Sequence, residues 1–147
     1  MGNDSWDADS VVPGKGDGPL CLLDEALSFW GGYDAEAGRI IEARHPQSGI
    51  GLAGTTLLMA RAKGSSSSSS VLAEAIRNGT GPAAIVMLER DLIVALGCIV
   101  ASELYDVHVP IVVVDAATWT RLAALPAGTR LRVQADEASG QVYASTS

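Results

Sequence analysis

The sequence predicts an α/β fold in which a layered mixed sheet is covered by helices. Hydrophobic residues make up 48% of the chain and aromatic residues only 5%, so the core is built mainly from Val, Ile, Leu and Ala, as in buried α/β sheets. β-prone and helical segments alternate through the middle of the chain, and two short β-prone segments surround a turn near its end. At 147 residues the chain has room for one domain.

The N-terminal segment differs from the rest of the chain. Residues 1–18 are rich in Asp, Gly and Ser, and they lack the charged-then-apolar layout of a secretory signal. We therefore predict a disordered extension over residues 1–18 and a single domain over residues 19–147. The first strand is predicted from Leu20 to Phe29, and the glycine pair at 31 and 32 then breaks regular structure.

The middle and the end of the chain supply the remaining elements. In order, they are a strand Thr55–Met59, a helix from Val71 that stops at Asn78–Gly79, a strand Ala83–Leu88, a helix Leu92–Leu104, a strand Val109–Val114, a helix Ala116–Leu125 and strands Thr129–Ala135 and Gln141–Ala144. The β-α-β-α-β alternation implies parallel strands with covering helices. The last two strands are predicted to form a hairpin.

Charge and cysteine content exclude several classes of function. The formal net charge is −7 and no segment concentrates Lys and Arg, which argues against nucleic acid or an anionic membrane as a partner. The apolar runs fall short of the ~20 residues that span a bilayer, so we expect a soluble, cytoplasmic protein. Cys21 and Cys98 lie in separate apolar segments, where two isolated thiols do not make a metal site.

The most unusual feature is Gly64 followed by six serines, Ser65–Ser70. Composition alone favours a flexible Gly/Ser linker without chemistry. The run lies, however, between a predicted strand and a predicted helix, whose N-terminus offers unpaired N–H groups and a positive dipole end to an anion. Arg61 and Lys63 precede the serines and add positive charge, which predicts an anion pocket. A serine there can act as a base where a cation or N–H donors stabilise its alkoxide.

Several short motifs occur together in the order found in one family. They are Phe29-Trp30-Gly31-Gly32, Arg44-His45-Pro46 with Gly49, Gly64 with the serine run, Asn78-Gly79-Thr80, Pro82-Ala83-Ala84-Ile85-Val86, Ala95-Leu96-Gly97, Glu103-Leu104-Tyr105 and Val109-Pro110. As a set, these motifs resemble the small subunit of aconitase X, and the resemblance covers about Leu20 to Val114.

This resemblance implies the swivelling β/β/α domain of the aconitase superfamily. In that superfamily the domain moves against a larger one that carries an iron–sulfur cluster, and its Gly-Ser-Ser loop brings a catalytic serine to the substrate. The matching position for the catalytic residue is Ser65. The substrate-binding set that the resemblance implies is Arg61, Lys63, Gly64, Ser66 and Ser67.

Two departures from the family pattern bear on these roles. Family loops continue with Arg and Glu after the serine pair, where this chain has Ser67 and Ser68, so the usual substrate-binding arginine is absent. Aconitase X members tend to have Pro-Arg-Gly-Arg-Gly before the serines, whereas this chain has Ala60-Arg61-Ala62-Lys63-Gly64. Lys63 keeps the charge but loses the bidentate fork of arginine.

The resemblance implies a hydro-lyase, or dehydratase, of two subunits in which this chain is the small one. The large subunit would hold the iron–sulfur cluster as a Lewis acid, and this chain would hold no metal and be inactive alone. We favour cis-3-hydroxy-L-proline as the substrate, because an acidic, Ala-rich composition with few lysines is typical of bacterial members. Two alternatives stay open: 5-phosphomevalonate, the substrate of archaeal members, and a non-catalytic anion-binding module.

Three other features are interpreted as structural. His45 opens a turn with a proline, which is more typical of architecture than of acid catalysis. Trp30 precedes two glycines and is predicted to be a core anchor. Asp106 and His108 provide only two metal ligands, so we predict no metal site there.

Overall fold

The computed structural model describes residues 3–145 of the chain. Its elements are, in chain order, β1 (Asn3–Val12), β2 (Gly14–Leu22), α1 (Phe29–Gly32), β3 (Tyr33–Asp34), β4 (Arg39–Ile40), β5 (Thr56–Leu58), α2 (Ser68–Asn78), β6 (Ala84–Met87), α3 (Leu92–Tyr105), β7 (Ile111–Val113), α4 (Ala116–Ala123), β8 (Arg130–Ala135) and β9 (Gly140–Ser145). Every element predicted after residue 55 is present, with bounds that differ by a few residues.

Seven strands close into a barrel in the order β1-β7-β6-β5-β2-β8-β9, with β9 pairing back onto β1. The four neighbours β2, β5, β6 and β7 run parallel, as the alternation of elements predicts. The pairings of β1 with β7, of β2 with β8 and of β8 with β9 are antiparallel, and β8 and β9 form the predicted hairpin. The predicted mixed sheet with covering helices is confirmed, and its closure into a barrel is an additional feature.

Alternate residues of the parallel strands face two different apolar cores, because successive side chains of a strand point to opposite faces. One core fills the barrel interior and includes Leu58, Val86, Val112, Leu131, Val133 and Val142. The other lies between the barrel and the helices and includes Leu57, Ile85, Ile111, Leu72, Ile76 and Cys98. β6 and β7 are almost fully buried on both faces, which is why each is a continuous apolar run.

The structure contradicts the predicted disordered extension over residues 1–18. Residues 3–12 form β1, and the strand predicted from Leu20 is part of β2, which begins at residue 14 and ends at Leu22. A Cβ at Gly16 would lie 2.0 Å from the Ala83 carbonyl oxygen, so this close backbone approach requires glycine. The glycines that suggested disorder therefore belong to a strand. Residues 1 and 2 lie outside the described range.

Caps define the ends of the two helices that cover the parallel strands. The Asp91 side chain accepts hydrogen bonds from the backbone N–H groups of Ile93 and Val94, which fixes the start of α3. Gly79 is left-handed (φ 78°) and ends α2, as Asn78–Gly79 predicted. Within residues 3–145, no helix is both long and apolar enough to cross a membrane.

Candidate active-site loop

The carboxyl ends of the parallel strands meet at one edge of the barrel. At this edge β2, β5 and β6 are each followed by a loop that leads to a helix: residues 23–28 to α1, 59–67 to α2 and 88–91 to α3. In α/β sheets, ligands bind where such loops converge. The predicted site residues all lie in the central loop, since β5 lies between β2 and β6.

The structure divides the six serines into two groups. Ser65–Ser67 are exposed in the loop, whereas Ser68–Ser70 form the first turn of α2, which begins earlier than predicted. The buried Ser68 Oγ accepts a hydrogen bond from the Trp30 backbone N–H at 3.1 Å. Ser69 Oγ donates to the backbone carbonyl three residues earlier at 2.8 Å. These two hydroxyls are used internally, whereas Ser65–Ser67 in the loop and Ser70 on the helix are exposed.

The serine loop leads directly into the start of α2 and carries backbone N–H groups of its own. The N-cap residue Ser67 has helical dihedral angles and makes no side-chain capping bond, contrary to the expected serine cap. The N–H groups of Ser68–Ser70 donate to the carbonyl oxygens of Ser65–Ser67. Within residues 3–145, the N–H groups of Ser65–Ser67 have no hydrogen-bond partner. They are therefore free to bind an anion at the positive end of the helix dipole.

Gly64 is required by its conformation and by the space around it. Its φ of +105° is one that side chains rarely allow, and a Cβ there would lie 2.1 Å from Ser28 Oγ and 3.2 Å from Ser68 Oγ. Ser28 Oγ in turn donates to the Trp30 carbonyl at 2.9 Å. The predicted hinge is thus packed against the segment that leads into α1.

The two predicted cations are paired with carboxylates of other segments. Arg61 Nη2 lies 3.1 Å from Glu89 Oε2, and Lys63 Nζ lies 3.0 Å from Glu42 Oε2. Arg61 and Glu89 are both exposed, and exposed pairs contribute only ~0–1 kcal/mol. An anionic ligand can therefore compete with Glu89 for Arg61 at little cost. In the second pair Lys63 is exposed, whereas Glu42 is partly buried. Neither glutamate was predicted as a site residue, because these contacts join distant parts of the sequence.

A small cavity of about 70 Å³ lies beside the loop. Its lining includes Lys63, Gly64, Ser68, Phe29 and Asp91. It has room for a few waters, since one water needs roughly 10–15 Å³ of such volume. Asp91 was missed by the sequence analysis, although its place directly before the apolar run of α3 was the signal of a helix cap.

A wider depression of about 370 Å³ adjoins Arg61. It is lined by Leu23, Asp24, Glu25, Ala26, Ala60 and Arg61. Two carboxylates against one cation do not favour an anionic ligand there. This depression is therefore not an anion site by itself, although Arg61, which lines it, also precedes the serine loop in the chain.

Of the residues interpreted as structural, His45 is buried and Trp30 is exposed. His45 is buried, and its ring accepts from the Gln47 N–H at 3.0 Å and donates to the Glu25 carbonyl at 3.0 Å, so both nitrogens are occupied. Trp30 is 60% exposed, so the prediction of a core anchor is wrong for it. Its neighbour Phe29 is the buried residue, because the chain turns at the following glycine.

The Asp106–His108 pair forms a contact without a metal site. His108 Nε2 lies 3.0 Å from Asp106 Oδ1, and His108 Nδ1 lies 2.8 Å from Ser102 Oγ. The pair lies at the end of α3 that is remote from the serine loop. Within residues 3–145, no group of three or more His, Cys, Asp or Glu is arranged to hold a metal ion.

The cysteines of this chain do not fit an iron–sulfur cluster, which needs three or four thiolates. Cys98 is fully buried on α3, and burial raises its pKa to about 12, which keeps the thiol protonated at neutral pH. Cys21 is half-buried on β2, and burial raises its pKa too. A cluster at this edge would need ligands from another chain or segment.

Comparisons with known proteins identify the family. Residues 5–142 match the family model of the aconitase X swivel domain. The cis-3-hydroxy-L-proline dehydratase of Pseudomonas aeruginosa is 41% identical over 121 residues, which are 78% of this chain and 21% of that enzyme. The phosphomevalonate dehydratase small subunit of Methanothermobacter thermautotrophicus is 37% identical over 127 residues, which are 86% of this chain and 91% of that subunit.

A solved structure shares the fold. The crystal structure of Thermococcus kodakaraensis aconitase X in its holo form matches with a TM-score of 0.78 at 30% identity, over 95% of this chain and 98% of that chain. This chain spans about a fifth of the length of the hydroxyproline dehydratases it matches. Family model, relatives and fold agree, and the chain belongs to the aconitase X swivel-domain family.

Proposed function

We propose that this chain is the small subunit of a two-subunit hydro-lyase that removes water from a small hydroxy acid. The observation that carries the proposal is the exposed loop Ser65–Ser67, which leads into the N-terminus of α2 and whose own backbone N–H groups have no hydrogen-bond partner within residues 3–145. Both kinds of relative are dehydratases by name. Relatives such as the one of Methanothermobacter thermautotrophicus are named small subunits, so a large subunit is proposed to complete the site.

Ser65 is proposed as the base that takes a proton from the substrate carbon. A serine hydroxyl is a weak base unless its alkoxide is stabilised. The free backbone N–H groups of Ser66 and Ser67 and the positive end of the α2 dipole can supply that stabilisation. Arg61 and Lys63 are proposed to exchange their glutamate partners for the substrate carboxylate.

The iron–sulfur cluster implied by the family is assigned to the large subunit, because the two cysteines of this chain do not fit it. When bound there, the cluster supplies a Lewis acid for the leaving hydroxyl group. We also propose a cytoplasmic location, since free cysteines are typical of reducing compartments.

The proposed substrate is cis-3-hydroxy-L-proline. It is supported by the 41% identity to the bacterial enzyme that is named for this substrate. Phosphomevalonate is the second candidate, because this chain matches 91% of a subunit named for that reaction. A free imino acid and a phosphate ester differ in charge, so one set of assays separates the two candidates.

Reconstitution tests the proposal. This chain is mixed with its large subunit under anaerobic conditions, and dehydration of cis-3-hydroxy-L-proline and of 5-phosphomevalonate is followed for the complex and for each chain alone. We expect turnover of the first substrate by the complex only. Full activity of the large subunit alone would refute the catalytic role, and carboxylate binding by this chain in a complex inactive on both substrates would favour a non-catalytic anion-binding module.

A further inference from the structure

Helix α3 lacks the polar outer face that a surface helix usually has. Its first ten residues, Leu92–Ala101, are all Leu, Ile, Val, Ala, Gly or Cys. Its inner face is buried, whereas Leu92, Leu96 and Ile99 are 75%, 48% and 43% exposed. These three residues recur at spacings of four and three, so they share one side of the helix. We call them the α3 stripe.

The neighbouring helix α2 shows the ordinary pattern. Its exposed residues include Ser70, Arg77 and Asn78, and Arg77 pairs with Glu74 at 2.8 Å. The two helices are tightly packed, since a Cβ at Gly97 of α3 would lie 3.0 Å from a backbone oxygen of α2. The α3 stripe is therefore a fixed apolar surface on a well-packed helix, and a contiguous apolar surface of this kind marks an interaction site.

The α3 stripe begins beside the serine loop. Leu92 directly follows Asp91, which lines the small cavity together with Lys63, Gly64 and Ser68. From Leu92 to Ile99 the stripe extends about 10 Å along the helix at 1.5 Å per residue. Polar residues return only beyond Ala101, at the end of α3 that is remote from the loop. The apolar part of the helix is thus the part that adjoins the proposed active site.

One relative carries a large region beyond the part that this chain matches. In the Pseudomonas aeruginosa dehydratase, the region matched by this chain is 21% of the enzyme, so about four-fifths of that polypeptide lies outside it. We propose that the α3 stripe is the docking surface for the large subunit, which places an uncharged apolar patch on it. This inference rests on the proposed two-subunit function, and it explains how the serine loop is held against the rest of the site.

A matched pair of substitutions on the same helix tests the inference. Leu96→Lys places a charge in the α3 stripe, and Leu104→Lys makes the same change at a 68% exposed leucine near the remote end of α3. Lysine is a good helix former, so both full-length variants should unfold at the temperature of the unaltered chain. Burying an unpaired charge in an interface should weaken binding to the large subunit by at least about 30-fold for Leu96→Lys, and hardly at all for Leu104→Lys.

Binding is measured by calorimetry with the large subunit, and the mass of the isolated chain by sedimentation. Equal affinity of Leu96→Lys and the unaltered chain, or an equal loss for Leu104→Lys, would overturn the inference. An isolated chain that dimerises through the stripe, or one that does not bind the large subunit, would overturn it too. A complex that forms as expected but dehydrates neither substrate would refute the proposed function while leaving the docking surface intact.

Discussion

The parallel and antiparallel parts of the barrel differ in the length of their strands and in the connections at the strand ends. β5, β6 and β7 have three or four residues and are covered by helices, whereas β1 has ten residues and β8 and β9 have six each. The loops after β2, β5 and β6 carry every candidate site residue, whereas β8 and β9 are joined by a tight turn. This difference indicates that the antiparallel pairing keeps the barrel closed, whereas the parallel strands position the loops that carry the candidate site residues.

Removing residues 1–12 tests the antiparallel part and should have the largest effect. β1 pairs with both β7 and β9, so its loss opens the barrel and exposes the interior core. We expect the cooperative thermal transition, followed by circular dichroism, to disappear. The control removes only residues 1 and 2. A chain without β1 that melts within a few degrees of the control would contradict the role given to this strand.

Gly64→Ala tests whether the edge of the parallel strands depends on local packing. The new Cβ would displace the Ser28 hydroxyl and strain a backbone with φ +105°, so we expect a stability loss of about 1–3 kcal/mol and a clear loss of activity. Gly49→Ala is the matched control, because Gly49 has φ +91° but no atom near the position of its Cβ. Urea unfolding and turnover are measured for both variants. If Gly64→Ala and Gly49→Ala lose equal activity, the close packing of Gly64 against Ser28 does not position the serine loop.

Lys63→Ala tests the charge at this edge. Loss of a partner for the substrate carboxylate should raise KM about tenfold with kcat nearly unchanged. Arg77→Ala removes a cation that is also paired with a glutamate, but on the outer side of α2. Steady-state kinetics of the assembled enzyme should show no change for this control. A KM that is unaffected by Lys63→Ala would assign the substrate carboxylate to other groups.

Alkaline pH should destabilise the helix-covered core, and this is the smallest of the expected effects. Burial raises the pKa of Tyr33 to about 12, from 10.0, and that of Cys98 to about 12, from 9.0, and both lie in the helix-covered core. A raised folded-state pKa gives stability that is full below about pH 9 and is lost as pH rises toward 12. The urea midpoint should fall over that range, and Cys98→Ala should reduce the fall. An equal fall in that variant would exclude the thiol as a cause.

The sequence predicted the parallel part better than the antiparallel part. A strand that is buried on both faces is a continuous apolar run, which is easily recognised. β1 instead alternates partly buried Trp6 and Ala8 with exposed Asp7 and Asp9, and its Asp and Ser residues are typical of disordered segments. A period of two was present in the sequence, but the prediction for residues 1–18 was made from composition.

The sequence predicted which loop forms the candidate site, but it did not predict the contacts within that site. The serine run between a strand and a helix was visible from composition and position. Which serines are buried was not, because Ser68 is held by Trp30, a residue 38 positions away in the chain. The pairing of Lys63 with Glu42 likewise depends on the tertiary fold. Contacts between distant segments leave no local pattern from which a sequence can predict them.

Single alanine substitutions at Ser65, Ser66 and Ser67 in the assembled enzyme test the central claim most directly, with Ser70→Ala on the first turn of α2 as the control. Loss of a base that acts only in the transition state should lower kcat by at least about 100-fold for Ser65→Ala with little change in KM. Ser66→Ala and Ser67→Ala keep their backbone N–H groups and should each lose less than about tenfold. Comparable modest losses at all three positions would contradict a dedicated base and indicate a shared anion-binding loop.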